Sequence, residues 1–500
     1  MEFSSQGLFL FLSLMISALC ASLFKITMMK TKWSQLDLGE RREDQRVLPL
    51  PGTTGWPIIG ESLDYFSKIK NGNLEKFVAD RMAKYSSKIF GTSLLGHSMV
   101  VFCTPEGNKF LFSNERKLVQ VWWPSTVNKI FPKTDNKPSH EHSNKLRNML
   151  QVIFKIDVLK TYIGTMDDVM KQHLEKHWDS KEVIVVGHMV KKFLFTLACN
   201  VFFGIDDAEK VDMFARGMEN VEAGIVALPF NLPGTAFRRA VKSSKVLLKE
   251  VESTVKLRRI VMDANSGQYS NPGGKVKDFM SYLIMERNDD GKPFKDEDIA
   301  SHLVGLLLAS FTTMHSTMTN LMKYLSEFPH IYDSVLREQN EILTAKGGED
   351  KELCWEDLRK MKYSWSVVSE VLRVLSPSTG SFREAITDFT YEGYTIPKGT
   401  KIHWIFHATH KNPKYFPEPN KFDPSRFQGD NPPSPYTFVP FGGGPRMCPG
   451  TEYARLVILV FMHNVVTKFR WEKKCPNEGM IYIPTPRPMH ELPVCLHPHN

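Results

Sequence analysis

The sequence predicts a mainly α-helical protein with a small β region, folded around a single core and preceded by an N-terminal membrane anchor helix. Three observations carry this expectation. Residues 296–328, "DEDIASHLVGLLLASFTTMHSTMTNLMKYLSEF", continue for about nine helical turns without a proline. Runs rich in β-formers are few. The chain also opens with an uncharged apolar stretch, residues 7–24. Its 500 residues, 42% hydrophobic and 24% charged, are ordinary for a globular protein with a large core.

The opening stretch, "GLFLFLSLMISALCASLF", is at the short end for crossing the ~30 Å hydrocarbon layer at 1.5 Å per residue. Only Glu2 is charged before it, while Lys25, Lys30 and Lys32 come after it. A cleaved signal peptide would carry its positive charge first; the rival reading is a cut near "SALCAS". Lysines after the stretch place the bulk of the chain in the cytosol by the positive-inside rule. Residues 1–32 are therefore read as the anchor. Residues 33–60 are a linker ending in a stiff hinge, because Pro49, Pro51 and Pro57 cannot continue a helix. Residues 61–500 are read as one catalytic domain, with a surface loop at 265–275, "NSGQYSNPGGK".

Within that domain, Asp296, Glu297 and Asp298 favour a helix N-terminus, and the run after them is too long and too apolar for a surface helix. "YSWSVVSEVLRVLSP" is a shorter helix closed by Pro377. "FTYEGYTIPKGTKIHWIF" is expected to be a hairpin turning at "PKGT". Residues 220–237 are apolar and broken by prolines, which suits a lid touching a membrane as well as a plain helix–loop–helix junction.

A net charge of +9 is modest for this length and fits either solubility or attraction to an acidic protein or an anionic membrane. No basic stripe with interleaved aromatics is present, so no nucleic acid partner is expected. Seven cysteines, at 20, 103, 199, 354, 448, 475 and 495, are odd in number and form no CxxC pair. A disulfide framework is not expected, and a reducing compartment fits better.

One cysteine stands out by its setting, "FGGGPRMCPG", residues 441–450. A phosphate-binding loop would need Gly-Lys-Ser/Thr at its exit, which is missing. A disulfide lacks a compartment if the anchor reading holds. A lone thiolate ligand to a metal remains, since backbone N–H groups of a glycine turn lower a thiol's pKa. Such a sulfur can bind heme iron axially. The loop resembles the heme-binding signature of the cytochromes P-450, Phe-x-x-Gly-x-Arg-x-Cys-x-Gly. Phe441, Gly444, Arg446, Cys448 and Gly450 meet its fixed positions, and Gly442 meets a stricter form. The resemblance extends along the chain. "EVLR" places Glu370 and Arg373 on one helix face, "FDPSRF" supplies Arg426, and "LPLPGTTGWPIIG" looks like the family's membrane-proximal entry.

The resemblance implies a single-core cytochrome P-450 fold, heme b with Cys448 as axial ligand to the metal, and a structural triad of Glu370, Arg373 and Arg426. Phe441 and Gly442 are expected at the cofactor. Cations must meet the two heme propionates in a low-dielectric pocket. Arg446 is the first candidate and Arg383 in "GSFREA" the second. Arg147 is either a third or a solvated helix charge.

The long helix departs from the family's pattern of a small residue, glycine, any residue, an acid, then threonine. Ala309 and Ser310 are small, and Thr313 matches the hydroxyl that assists oxygen activation. Thr312, however, stands at the acid position and Met314 replaces a hydroxyl residue. The acid's role is proton relay, which a threonine hydroxyl cannot readily perform as a general acid at neutral pH. A register shifted by one would put Thr312 at the threonine position, but it misaligns the small residues. His315, three residues on from Thr312, is either a packing histidine or a relay.

"SPYTFVPFGGGPRMCPGTEYARLVILVFMHNVV" and "LPFNLPGTAFRRA" look like the plant branch that oxidises triterpenoids, diterpenoids and steroid-like skeletons. The expected function is hydroxylation or further oxidation of such a hydrophobic small molecule by O2. Electrons would come from an NADPH-dependent flavoprotein reductase. The expected setting is the endoplasmic reticulum membrane, single-pass, in contact with lipid. Two alternatives are a reductase-independent isomerase or dehydratase on the same scaffold, and an inactive heme-binding partner.

Overall fold

A computed structural model describes residues 50–56, 59–131, 149–150, 153–264, 278–287, 291–348, 351–429 and 432–499. The expected anchor, most of the linker and the expected surface loop at 265–275 lie outside the described residues. The described chain is mainly helical with a minor β component, as expected.

Two compact units form, one from the described residues up to Trp122 with Gly380–Thr409, the other from Trp123–Thr379 with the chain from His410 onward. A cluster of buried apolar side chains lies in each unit. The first unit is built on a five-stranded sheet. Its strand order is Ile89–Leu94, His97–Phe102, Lys401–Trp404, Ser381–Ala385, Val119–Val121. Such a sheet needs its own apolar cover. Tyr65, Phe77 and Val78, from the helices Ser62–Lys70 and Leu74–Tyr85, pack in one cluster with Phe90, Val101 and Ile405.

The expected hairpin at "PKGT" is corrected. The pairing strands are Phe389–Tyr391 and Tyr394–Ile396, so the turn is Glu392–Gly393. Both central residues have positive φ, 51° and 81°, as the tight two-residue hairpin turn requires. Lys401–Trp404 instead runs parallel to His97–Phe102 and antiparallel to Ser381–Ala385. Its Ile402, His403 and Trp404 are all buried, so it sits inside a sheet rather than on a hairpin edge.

In the second unit the long helix is Asp296–Glu327 and the shorter one Lys362–Val374, close to the expected spans. The long helix and Val186–Phe203 are apolar and long enough to cross a membrane, but 61% and 67% of their apolar windows are buried in the protein. They are core helices. Ala208–Ile225 starts on Asp207, whose carboxylate accepts from the Lys210 N–H at 2.9 Å. It lies against Ala236–Ala264 so closely that a Cβ on Gly224 would stand 2.1 Å from that of Ala240. Between these two helices Val226, Leu228, Phe230 and Leu232 are exposed. The 220–237 segment is thus a helix–loop–helix junction that also presents an apolar surface.

Two buried histidines, one in each unit, are held neutral. His403 bonds the Tyr65 hydroxyl at 2.7 Å and His463 bonds Gln339 Oε1 at 2.8 Å. Burial lowers each from its ordinary value to about 4. The unfolded chain binds these protons near pH 6.5 and the native one does not, so stability is complete above that value and is lost as pH falls toward 4. Each site contributes about 3 kcal/mol to that loss. Denaturant midpoints measured between pH 7 and pH 4 should fall steeply over this window. A flat profile would contradict the neutral burial of both rings.

Candidate active site

Cys448 is presented by a loop whose backbone only glycine adopts readily. Gly442 and Gly444 have φ of 73° and 63°. Gly444–Arg446 forms a short 3-10 turn, and Gly450 precedes the helix Thr451–Lys468. The Cys448 N–H donates to Phe441 O at 2.8 Å, closing the loop on itself, and the Thr451 hydroxyl donates to Cys448 O at 2.8 Å. Phe441 packs against the large apolar cluster. The thiol is therefore fixed from both sides while its residue stays exposed. Cys103 and Cys199 differ: burial pushes their thiols up to about 12. No disulfide joins the described cysteines.

The structure brings Glu370, Arg373 and Arg426 together. Arg373 donates from Nε and Nη2 to the two oxygens of Glu370, at 2.7 and 2.8 Å, with both side chains fully buried. Its Nη1 donates to His410 O and Pro419 O, and Nη2 also reaches Lys421 O. Arg426 Nε lies 3.6 Å from Glu370 Oε1, and the Asp423 N–H donates to that same oxygen. Sequence reasoning missed His410. Its Nε2 accepts from the Val439 N–H at 3.0 Å, and Val439 O accepts from the Gly442 N–H at 2.9 Å. This chain of bonds ties the ion pair to the cysteine loop. No spacing in the sequence marks His410 for that role.

On the long helix, one side is open in the midst of buried neighbours. Ala309 is exposed, and a Cβ built on Gly305 would meet nothing within 4 Å. Leu306, Leu307, Phe311, Met314 and His315 are buried. The Thr313 hydroxyl donates to Ala309 O at 2.8 Å, which leaves its oxygen able to accept. Thr312 Oγ1 is buried and has no hydrogen-bond partner among the described residues.

Arg446 is half-buried in the cysteine loop. Arg383 belongs to the first unit, where it is buried, donates from Nε to Glu115 at 2.7 Å, and gives Nη1 to Ser381 and Phe382. Glu115 was not foreseen; 268 positions separate the pair. Arg147 lies outside the described residues.

These features fit a heme. A single sulfur is exposed on a rigid loop, and a Cβ on Gly450 would stand 3.9 Å from it. The uncovered Gly305 and Ala309 suit a flat apolar group. A family model described as cytochrome P450 matches residues 50–491. The chain belongs to that family, and it is a heme-thiolate oxidoreductase. It is 48% identical to a beta-amyrin 28-monooxygenase of Solanum lycopersicum over 90% of this chain and 93% of that one. It is 47% identical to a beta-amyrin 16-beta-monooxygenase of Platycodon grandiflorus, over 91% and 94%. Among solved structures, the retinoic acid-bound cyanobacterial CYP120A1 superposes with a TM-score of 0.77 at 29% identity, covering 91% of this chain and all of that one.

Two variants separate ligation from support. Cys448→Ala should abolish the red-shifted Soret band of the reduced, carbon-monoxide-treated protein. Glu370→Ala strands the Arg373 charge at a cost of about 3–5 kcal/mol, so heme retention and thermal stability should fall together. Full heme content and unchanged stability in Glu370→Ala would mean that the pair does not support the cysteine loop.

Proposed function

We propose that the chain is a membrane-bound monooxygenase that oxidises a pentacyclic triterpenoid of the β-amyrin type, with electrons from an NADPH-dependent flavoprotein reductase. One observation carries this reading: identity of 47–48% to two β-amyrin oxidases over nine-tenths of the chain. The two relatives act at different carbons, so identity at this level does not select the position attacked.

Heme b, held through Cys448, would supply the iron chemistry that puts one atom of O2 into the substrate and releases the other as water, with two protons and two electrons consumed. The protein's residues do the rest. Arg446, Arg383 and Arg147 are the candidates to meet the propionates, each as a charge-assisted donor. Glu370, Arg373 and Arg426 hold the strand of chain that presents the sulfur. Gly305 and Ala309 keep the helix face clear for an apolar ring system, and the Thr313 hydroxyl holds a proton at Oγ1 beside it. Phe441 and Gly442 shape the sulfur side.

Membranes containing the reductase, supplied with β-amyrin and related skeletons, should yield NADPH-dependent products that have gained one oxygen or more. Turnover without NADPH would select the isomerase or dehydratase reading. No product, with a normal carbon monoxide spectrum, would favour the inactive heme-binding partner.

The anchor reading supports a single-pass attachment to the endoplasmic reticulum with the globule in the cytosol. Protease added outside sealed microsomes should digest the catalytic domain, and protection of it would reverse the topology. Removing residues 1–32 should leave part of the protein on membranes, because Val226, Leu228, Phe230 and Leu232 stay exposed.

A further inference from the structure

The helix Ala236–Ala264 begins with a charge distribution that its own stability does not explain. Between Glu222 and Glu250 the chain has no acidic residue, yet it carries Arg238, Arg239, Lys242, Lys245 and Lys249. The two arginines lie in the helix's first turn, which has no acid, and cations there oppose the helix dipole. All five residues are exposed, and no ion pair joins any of them to a described acid. The cations further along the same helix are satisfied: Lys256 pairs with Glu252, Arg258 with Asp278 and Arg259 with Asp296. Glu250, the first acid after the run, lies 3.7 Å from Lys210 instead.

Spacing turns this run into a surface. Arg238, Lys242, Lys245 and Lys249 follow one another at four, three and four residues, which makes a single stripe about 17 Å long. The inward face is carried by Phe237, Ala240, Ser244 and Leu247. The stripe leads directly back to the exposed loop of Val226, Leu228, Phe230 and Leu232. Thr235 fastens the two parts together. Its hydroxyl lies 2.7 Å from Phe230 O and 2.8 Å from Leu232 O, and it accepts from the Arg238 N–H at 3.3 Å. Arg239 Nη1 also donates to Gly234 O at 2.7 Å. An apolar tip and a row of cations are thus held as one piece.

We propose that this stripe is a docking surface for the anionic headgroups of a lipid bilayer, which fix the orientation of the helix while the apolar tip enters the acyl layer. Charge complementarity selects the occupant. A layer of anionic headgroups offsets neighbouring cations, and the acyl region beneath it takes up the apolar tip. Tethering by the expected anchor raises the local concentration of lipid, so each contact can be weak on its own. The inference rests on the membrane-bound reading and deepens it by naming the class of lipid.

Lysine footprinting of the full-length, heme-loaded protein tests it. The protein is reconstituted in vesicles of phosphatidylcholine alone, or of phosphatidylcholine mixed with phosphatidylserine, and labelled with a neutral amine reagent. Exposed Lys414, remote in the chain, serves as the reference. A cation at an anionic surface gains roughly fivefold in occupancy. Labelling of Lys242, Lys245 and Lys249 relative to Lys414 should therefore slow by about that factor in the mixed vesicles, and high salt should reverse it. Arg238→Gln with Arg239→Gln should weaken the protection of the three lysines and leave the carbon monoxide spectrum unchanged. Equal labelling in the two kinds of vesicle would overturn the inference. So would protection that survives both the salt and the arginine substitutions. Protection on adding the reductase to phosphatidylcholine vesicles, with none from phosphatidylserine, would assign the stripe to a protein partner and overturn the lipid reading. A protein that floats with neither kind of vesicle would instead overturn the membrane-bound reading.

Discussion

The ion pair of Glu370 and Arg373 is the constraint on which the catalytic geometry depends. Both groups are fully removed from water, and such a pair is tolerated only when the remaining hydrogen-bonding capacity of each partner is filled. Here the guanidinium meets that demand with carbonyls of His410, Pro419 and Lys421. The helix Lys362–Val374 is thereby fastened to an irregular stretch with little regular structure of its own. His410 then passes the restraint to Val439, and Val439 to Gly442. A loop that must hold one sulfur in place is too short and too rich in glycine to do so alone. It borrows its order from a charge pair on a neighbouring helix.

The long helix serves the opposite need. It is packed on most sides yet open at Gly305 and Ala309. Its hydroxyls serve different roles. Thr313 is bonded to its own helix, while Thr312 points a buried oxygen at nothing among the described residues. A buried unsatisfied oxygen costs stability.

Legibility in the sequence tracked locality. The loop at 441–450 could be read because its chemistry lies within ten adjacent residues, where glycine, arginine and cysteine each have one physical reason to be present. The pair Glu370 and Arg373 was readable as a helix-face pair, although nothing local shows that it is buried. The long helix declared itself through length and acidic start. The hairpin was misplaced because "PKGT" is a good turn sequence, whereas the true turn, Glu392–Gly393, is selected by how the next strand is used: Lys401–Trp404 finds partners on both sides in the sheet.

By itself, then, the sequence determined the helical class, the metal-binding cysteine, and the absence of an acid at position 312, all features carried by neighbouring residues. Only the tertiary structure decided that Arg383 meets Glu115, that His410 bridges the ion pair to the cysteine loop, and that Lys191, Glu222, His315, Arg487 and Glu491 share one pocket. Those five are drawn from positions 191 to 491, and no spacing in the sequence brings them together. What changes their chemistry is the removal of water and the nearness of the other four. Both arise from packing between elements remote in the chain, where local propensity is silent.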